Sequence, residues 1–352
     1  MISTADKLLP VCVDGKYGYI NPRGDIVVSC QNDYASEFSD GLATIRQRFN
    51  HDNYDHQEII VIDADIREIG RLVCGYCGDF SDGLMWFERN EKRGYVDRSL
   101  QVVIPPSFDN ANAFVDGLAW ANVRVPRPSE PGFMDQPEGI INRSGQWVIR
   151  PQYARVWSFR TGERVTGFTP DYKLWGLIDR QGVVLVGPRF AHVCLTSKGL
   201  TPASIRTGHG KDTKYGFINE SGDWVVTPRF DNCYGEFSND TLGAAVGDRW
   251  GIVNREGAWI IEPRFTVAES FHEGLSRVYV GGSYKGGDLR DGKWGYIDGD
   301  GEFVVEPIFD EAWPFKEGVA EVELAEGDPE EPGNYKSGYI DMQGRYIWEP
   351  TK

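Results

Sequence analysis

The stretch of sequence that decides the fold runs from Lys293 to Val319 and reads KWGYIDGDGEFVVEPIFDEAWPFKEGV. It opens on the aromatic-Gly pair Trp294-Gly295, and an Asp and a second Gly follow three and six residues after that first Gly. An alternating apolar run then leads to Pro307, and further aromatic residues follow it. Short apolar runs bounded by Gly, Asp and Pro are typical of β-strands joined by tight turns.

The same sequence pattern recurs along the whole chain. We take the Gly after the aromatic residue as the anchor of each copy. The nine anchors are Gly18, Ile60, Gly94, Gly139, Gly176, Gly216, Gly251, Gly295 and Gly338. The first and last lie 320 residues apart, so the eight steps average 40 residues. A period of this size predicts a repeat architecture.

Turn chemistry is fixed within each repeat. Three residues after every anchor stands Asn or Asp, and six residues after it stands Gly, except at Ile66 and Leu100. An Asx residue followed by Gly at this spacing predicts a hairpin turn. A Pro twelve residues after most anchors ends or kinks the next strand. Each repeat is therefore predicted to be a three-stranded antiparallel meander. The second repeat is degenerate, with Ile60 and Leu72 in place of Gly and Pro.

These motifs resemble the WG-repeat family, also called KWG repeats, which is common in bacterial proteins. The name motif stands at Lys293-Trp294-Gly295, Leu174-Trp175-Gly176 and Arg249-Trp250-Gly251, with variants at Tyr17-Gly18 and Tyr215-Gly216. The chain departs from the family pattern at Ile60. The resemblance covers nearly all 352 residues and implies a β-rich repeat scaffold, with no activity attached to it.

We therefore expect an all-β fold of nine tandem repeats of about 40 residues, forming a single array over residues 1–352. The repeats could stack as an open superhelical array or close into a propeller-like ring. Propellers typically have four to eight blades of four strands, so nine units of three strands favour the open, curved array.

Charge and composition exclude several function classes. Lys and Arg number 37 against 53 Asp and Glu, a net charge of −16. A nucleic-acid binder needs a basic face, so we expect no nucleic-acid partner. No apolar run reaches the roughly 18 residues of a membrane helix, and the sequence opens without the apolar core of a secretory signal. We therefore expect a cytoplasmic protein with no membrane partner. The negative net charge is compatible with a basic protein partner, and also with a role in solubility alone.

Length variation is confined to the segment between the third strand of one repeat and the first strand of the next, which carries the aromatic-Gly pair. Repeat proteins often collect such insertions on their binding face. Aromatic residues and Arg are enriched at interface hot spots. The candidate partner-binding residues in these segments are Tyr54, Arg127, Phe133, Met134, Tyr284, Arg290 and Tyr335. The alternative is that each loop aromatic caps its own repeat.

Other conspicuous residues have a structural explanation. Trp residues at fixed register are what packing between repeats requires, whereas Trp86, Trp120, Trp157, Trp313 and Trp348 lie outside the two repeated Trp positions. Cys74 and Cys77 occupy packing positions of the repeat, with metal or redox chemistry as the alternative. The Arg of the recurring Pro-Arg-Phe triplet is expected to form structural ion pairs.

No catalytic motif is present, and neither a cofactor nor a metal is predicted. The favoured function is a non-catalytic scaffold that binds another protein with a basic surface through the variable-loop face, with a bacterial toxin-neutralising immunity protein as one example. A glycan or small-ligand binder using aromatic platforms is the alternative. A third hypothesis is a metal-dependent hydrolase built on His51, Asp52, Asp55 and His56.

Overall fold

The structure, a computed structural model, describes residues 8–47, 57–126, 134–207, 212–285, 288–326 and 335–351. It divides into two compact units, one of Met1–Lys173 and Ile178–Val183 and the other of Leu174–Leu177 and Val184–Lys352. All regular secondary structure in the described ranges is β-strand, so the all-β prediction is confirmed. These ranges contain no helix long and apolar enough to cross a membrane.

The strands of the first unit form small antiparallel sheets. Sheet by sheet, they are Leu9–Val13, Lys16–Ile20 and Ile26–Asn32; Tyr34–Ala35, Leu42–Arg46, Gln57–Asp63 and Glu68–Cys74; Leu84–Arg89, Lys92–Asp97 and Val102–Phe108; Asn110–Ala111, Leu118–Asn122, Glu138–Asn142 and Trp147–Tyr153; and the ribbon Val125–Pro126 with Met134–Asp135. Arg155–Val156 and Val165–Thr169 pair in the same unit.

The second unit repeats the same pattern. Its complete sheets are His192–Val193, Leu200–Thr207, Asp212–Asn219 and Trp224–Phe230; Asn232–Ser238, Thr241–Val246, Arg249–Asn254 and Trp259–Phe265; Val267–Ala268, Ser276–Lys285, Asp288–Ile297 and Phe303–Phe309; and Glu311–Ala312, Val319–Ala325, Tyr335–Asp341 and Tyr346–Thr351. Trp175–Asp179 has residues in both units, and Val184–Phe190 lies in the second.

Most of the described sheets have four strands rather than the predicted three. The three long strands pair in the predicted order, as Val319–Ala325, Tyr335–Asp341 and Tyr346–Thr351 show. The extra strand is Glu311–Ala312, which pairs with Glu323 and Val322. Two residues are too few to show strand periodicity, so the sequence alone did not reveal this strand. Four-stranded antiparallel sheets are of the kind that form propeller blades.

Most consecutive sheets are joined by a single residue, often Asp, whereas nine residues separate Glu68–Cys74 from Leu84–Arg89. Asp109, which follows Val102–Phe108, donates its N–H to the Asn122 carbonyl at 3.1 Å. Its carboxylate accepts from Lys92 Nζ at 2.8 Å and from the Arg124 N–H at 2.6 Å. The same Lys–Asp pair recurs at Lys16–Asp33, Lys214–Asp231 and Lys293–Asp310. A charged hydrogen bond thus ties each of these links to its neighbouring strands.

The anchor Gly is required by a bulge in the strand that follows it. In the quoted stretch Trp294 pairs with Phe309 and Tyr296 with Val305, so an unequal number of residues lies between the two pairs. A Cβ on Gly295 would lie 2.7 Å from the Val305 carbonyl oxygen and 2.8 Å from Pro307 N. No side chain fits there.

The degenerate second repeat lacks this bulge. Gln57 pairs with Cys74 and Ile60 with Arg71, with no register shift up to Val61. Ile60 therefore has room for its side chain, which explains why that anchor is not Gly.

The predicted turns and packing positions are confirmed. The Asp298 carboxylate accepts from the N–H groups of Asp300 and Glu302 at 3.0 and 2.9 Å. The buried Tyr296 donates its hydroxyl to the Trp313 carbonyl at 2.7 Å. Trp175, Trp250 and Trp294 are buried, and Trp147, Trp224 and Trp259 pack edge-on against Phe108, Phe190 and Phe230 of the preceding strands.

Contrary to expectation, the Arg side chains of the Pro-Arg-Phe triplet bond backbone carbonyls, and no ion pair holds them within the described residues. Arg189 lies over the Phe190 ring at 5.1 Å and donates to the Gly222 carbonyl at 2.6 Å. Arg229 and Arg264 make the equivalent bonds to the next hairpin turn. These three Arg side chains join neighbouring sheets through backbone carbonyl acceptors of the hairpin turns.

Candidate functional site

The candidate contact residues fall into three groups. Tyr54, Arg127 and Phe133 lie outside the described residues, as do His51, Asp52, Asp55 and His56 of the hydrolase hypothesis. Met134 lies in the first unit. Tyr284, Arg290 and Tyr335 lie in the second. Each described candidate lies in or beside the connection between the second and third strands of its sheet, where the sequence placed the length variation.

Tyr284 and Arg290 lie on one hairpin. The strands Ser276–Lys285 and Asp288–Ile297 pair Tyr284 with Leu289 and Ser283 with Arg290, whose side chain is exposed. Tyr335 opens its strand opposite Ala325 and is half-buried, and this burial raises the pKa of its hydroxyl. Their role as partner contacts stays a prediction.

Met134 lies on a short two-stranded ribbon in the connection between Leu118–Asn122 and Glu138–Asn142. Val125 pairs with Asp135, and Pro126 pairs with Met134. Met134 is 47% exposed and Val125 is 37% exposed. A ribbon of two-residue strands has no core of its own, so its apolar side chains depend on the surface beside it.

That surface is a concave groove, which we call the Met134 groove. It has a volume of about 590 Å³ and is lined by Val125, Met134, Pro151, Tyr153, Pro170 and Tyr172, with Asp135 and Gln136 among its polar residues. Tyr172 is 63% exposed and has positive φ. Met and aromatic residues are enriched at protein interfaces, and exposed apolar groups that lie together mark interaction sites.

Tyr153 forms the rigid wall of the groove. It ends the strand Trp147–Tyr153 and lies 4.7 Å, centroid to centroid, from the buried Phe168. Burial raises the pKa of the Tyr153 hydroxyl further above neutral pH. The groove therefore presents a fixed aromatic face, prolines of fixed φ and an adaptable Met side chain. Such a surface can bind apolar side chains, and Asp135 can accept a basic one.

Of the groove residues, the sequence pointed only to Met134. Tyr153 occupies the repeated aromatic position after the Pro, and that position predicts a packing role. Tyr172 lies in a bend outside the repeated positions. Pro170 and Tyr172 are the sequence features that could have pointed to the groove. Their segment lies beside the ribbon only in the folded chain, so the sequence alone does not connect them with Met134.

Cys74 and Cys77 lie in the core of the first unit, as the packing interpretation predicts. Cys74 is fully buried, and Cys77 packs against the same cluster. A hydrogen bond with Cys77 and burial raise the pKa of the Cys74 thiol. In the described ranges no three His, Cys, Asp or Glu side chains are placed to hold a metal ion.

Comparison with known proteins identifies the repeat. The WG containing repeat matches residues 17–48, 94–124, 139–163, 215–248, 250–284 and 294–326, which together exceed half of the chain. No curated protein sequence matches this chain.

Solved structures align with this chain at low sequence identity. A eukaryotic initiation factor aligns over 97% of this chain and 95% of that chain, with a TM-score of 0.65 and 8% identity. BamB from Moraxella catarrhalis aligns over 84% and 90%, with a TM-score of 0.46 and 12% identity. Apo AztD from Citrobacter koseri aligns over 98% and 94%, with a TM-score of 0.39 and 14% identity. The first likeness shows a common fold, and the other two are too distant to carry an argument.

The repeat found by comparison and the repeat seen in the structure are the same. All nine anchors lie within strands, and a bulged partner strand explains the Gly at each anchor where the register is described. The chain belongs to the WG-repeat family.

Proposed function

We propose that this protein is a non-catalytic scaffold that binds one partner protein through the Met134 groove. The observation that carries the proposal is the clustering of exposed Val125, Met134 and Tyr172 around a concave surface of about 590 Å³. A repeat β fold suits an interaction scaffold generally, because its frame is fixed by packing between repeats while its connections vary.

The partner we propose has a basic surface and an apolar side chain that enters the groove. The chain carries a net charge of −16, which favours encounter with a basic protein. Asp135 at the groove adds a local acceptor for Lys or Arg. A basic bacterial toxin neutralised by this chain, in the cytoplasm, is the partner class to test first.

Photo-crosslinking in the native host tests the proposal. A benzoylphenylalanine at Tyr172 should give one stoichiometric adduct with a basic protein. The same group at Val225, which is 55% exposed on the strand Trp224–Phe230, serves as the matched control and should give none. Met134→Asp should weaken the isolated complex at least about tenfold, because it places a charge in the apolar contact.

The crosslinking test depends on the difference between the adducts formed at Tyr172 and at Val225. Identical adducts from both positions, or a complex whose affinity Met134→Asp leaves unchanged, would contradict the proposal. If the partner is a toxin, the unmodified chain should suppress its activity and the Met134→Asp chain should not. Circular dichroism of each variant confirms that the sheets are retained.

A further inference from the structure

A second cavity in the first unit has different chemistry. It has a volume of about 300 Å³ and is lined by Arg93, Asn112, Trp120, Glu138, Arg155 and Trp157, together with Asn110, Val156 and Ser158. It shares no lining residue with the Met134 groove. Its volume is at the lower end of the range for small-molecule sites.

The two Trp residues of this cavity are not required by the repeat. Asn112 donates its N–H to the Trp120 carbonyl at 3.0 Å, and Trp157 donates to the Gly167 carbonyl at 2.9 Å. The same backbone bond recurs in other sheets. Trp86 takes the register of Trp120 in one of them and Trp313 that of Trp157 in another, whereas the remaining pairs have no Trp, namely Ser36 and Thr44, Cys194 and Pro202, and Glu269 and Arg277. The frame is constant and the side chains vary, so packing does not dictate Trp at these two positions.

Polar groups in the cavity are available to a ligand. Within the described ranges, no hydrogen bond occupies the side chains of Asn110 or Asn112 or the indole N–H of Trp120. Asn offers both a donor and an acceptor, and Trp offers a donor. An adjacent donor and acceptor match the hydroxyl group, which is both.

The charges of the cavity are balanced by fixed pairs. Arg93 Nε bonds Glu88 at 3.3 Å, and its Nη1 donates to the Ala111 carbonyl at 3.0 Å. Arg155 lies 3.5 Å from the Glu138 carboxylate, which is buried and also accepts the Val156 N–H at 2.8 Å. An anion would compete with Glu138 and a cation with Arg155, so the site favours a neutral polar ligand.

We propose that this cavity binds a neutral saccharide, with one pyranose ring against the indole of Trp120 and beside Trp157, over whose ring Arg155 lies at 5.3 Å, and with its hydroxyls on Asn112, Asn110 and the charged pairs. The negative face of an aromatic ring attracts the weakly positive C–H groups of a sugar. Hydrogen bonds from hydroxyls to ionised groups are stronger than those between neutral groups. The ligand can be a free sugar or the terminal unit of a glycan.

Calorimetry and saturation-transfer NMR on the full chain test this inference. The probes are neutral hexoses and N-acetylhexosamines, their short oligosaccharides, and two charged controls, glucuronate and tetramethylammonium. We expect at least one neutral sugar to bind. Equal affinity for a monosaccharide and its oligosaccharide indicates terminal-unit binding, and tighter oligosaccharide binding indicates a glycan source.

Three variants and a matched control assign the site. Trp120→Ala and Trp157→Ala should each weaken binding at least about tenfold. Trp313→Ala, at the equivalent register of a sheet in the second unit, should leave binding unchanged. Asn112→Ala removes an exposed amide without touching the core, so it decides the matter if a Trp variant fails to fold; it should weaken binding several-fold.

Three results would each overturn the inference. They are no binding of any neutral sugar at about 20 mM, binding of a charged control alone, and sugar binding that survives folded Trp157→Ala and Asn112→Ala. None of them depends on whether the Met134 groove binds a protein.

Discussion

Gly251→Ala should be among the most damaging single-methyl additions in the chain. A Cβ at this anchor would lie 2.3 Å from the Ile261 carbonyl oxygen and 2.8 Å from Pro263 N. Both atoms belong to the backbone of the bulged strand, so a rotamer change cannot relieve the clash. The strand must retreat by roughly 1 Å, which weakens the ladder bonds on either side of the bulge.

The magnitude follows from three terms. Overpacking of a well-packed site costs about 1–3 kcal/mol. Each weakened backbone hydrogen bond adds about 1 kcal/mol. Alanine also restricts the unfolded chain, which returns about 0.4–1 kcal/mol. With one weakened bond on each side of the bulge, the net loss in the free energy of unfolding is about 2–4 kcal/mol, or about 5–15 °C in Tm for a unit of this size.

Gly187→Ala is the matched control in the same unit. Gly187 also lies in a strand, its φ is not positive, and a Cβ there would meet nothing within 4 Å. Its replacement should leave stability unchanged or raise it by about 0.4–1 kcal/mol. The assay is urea unfolding followed by circular dichroism and Trp fluorescence. Equal stability of Gly251→Ala and the unmodified chain would refute the reasoning, as would equal losses in both variants.

Three further predictions concern the hydrogen bonds of the frame. The pKa of Asp109 lies below its usual range. Burial alone would raise this pKa, but hydrogen bonds from Lys92 and from the backbone outweigh that effect. Its stabilising effect is therefore present above the unfolded pKa of about 4 and lost as the pH falls through the lower folded value. Asp109→Asn should cost about 1–3 kcal/mol at pH 7 and flatten the acid limb of the stability curve; an unchanged limb contradicts this. Tyr296→Phe leaves the Trp313 carbonyl without its donor and should cost about 1 kcal/mol in urea unfolding, whereas no loss would show that water replaces the bond. Arg229→Lys cannot stack on the neighbouring ring and reach the turn carbonyl together, so it should lower Tm by about 2–5 °C in a thermal melt; an unchanged Tm would show that the contact is dispensable.

Local chemistry explains what the sequence could predict. Asp298 with Gly301 specifies a turn, and Trp294 and Phe309 at fixed register specify packing. These signals lie within a single repeat and need no knowledge of the neighbour. The two-residue strand Glu311–Ala312 escaped prediction because it is held by backbone pairing and has no periodicity to detect.

The candidate sites depend on contacts between distant segments. Met134 was predicted from its place in a variable connection, but Tyr153 and Tyr172 join it only after folding. Trp120 and Trp157 stood out as exceptions to the repeated Trp positions, and their meeting in one cavity depends on how adjacent sheets stack. A repeat sequence thus shows which residues are exceptions, and only the structure shows which exceptions meet.

The single-residue links between sheets determine where the chain can be cut. Asp310 is all that separates Phe303–Phe309 from Glu311–Ala312, and its N–H is bonded to the Glu323 carbonyl. Proteases prefer longer connections, and nine residues of sequence separate Val319–Ala325 from Tyr335–Asp341. Cleavage there divides a sheet between its second and third strands. Each fragment then carries half of a sheet that only the other fragment completes, so a nicked chain should stay assembled, and the same connections are the natural places to split the protein into complementing halves.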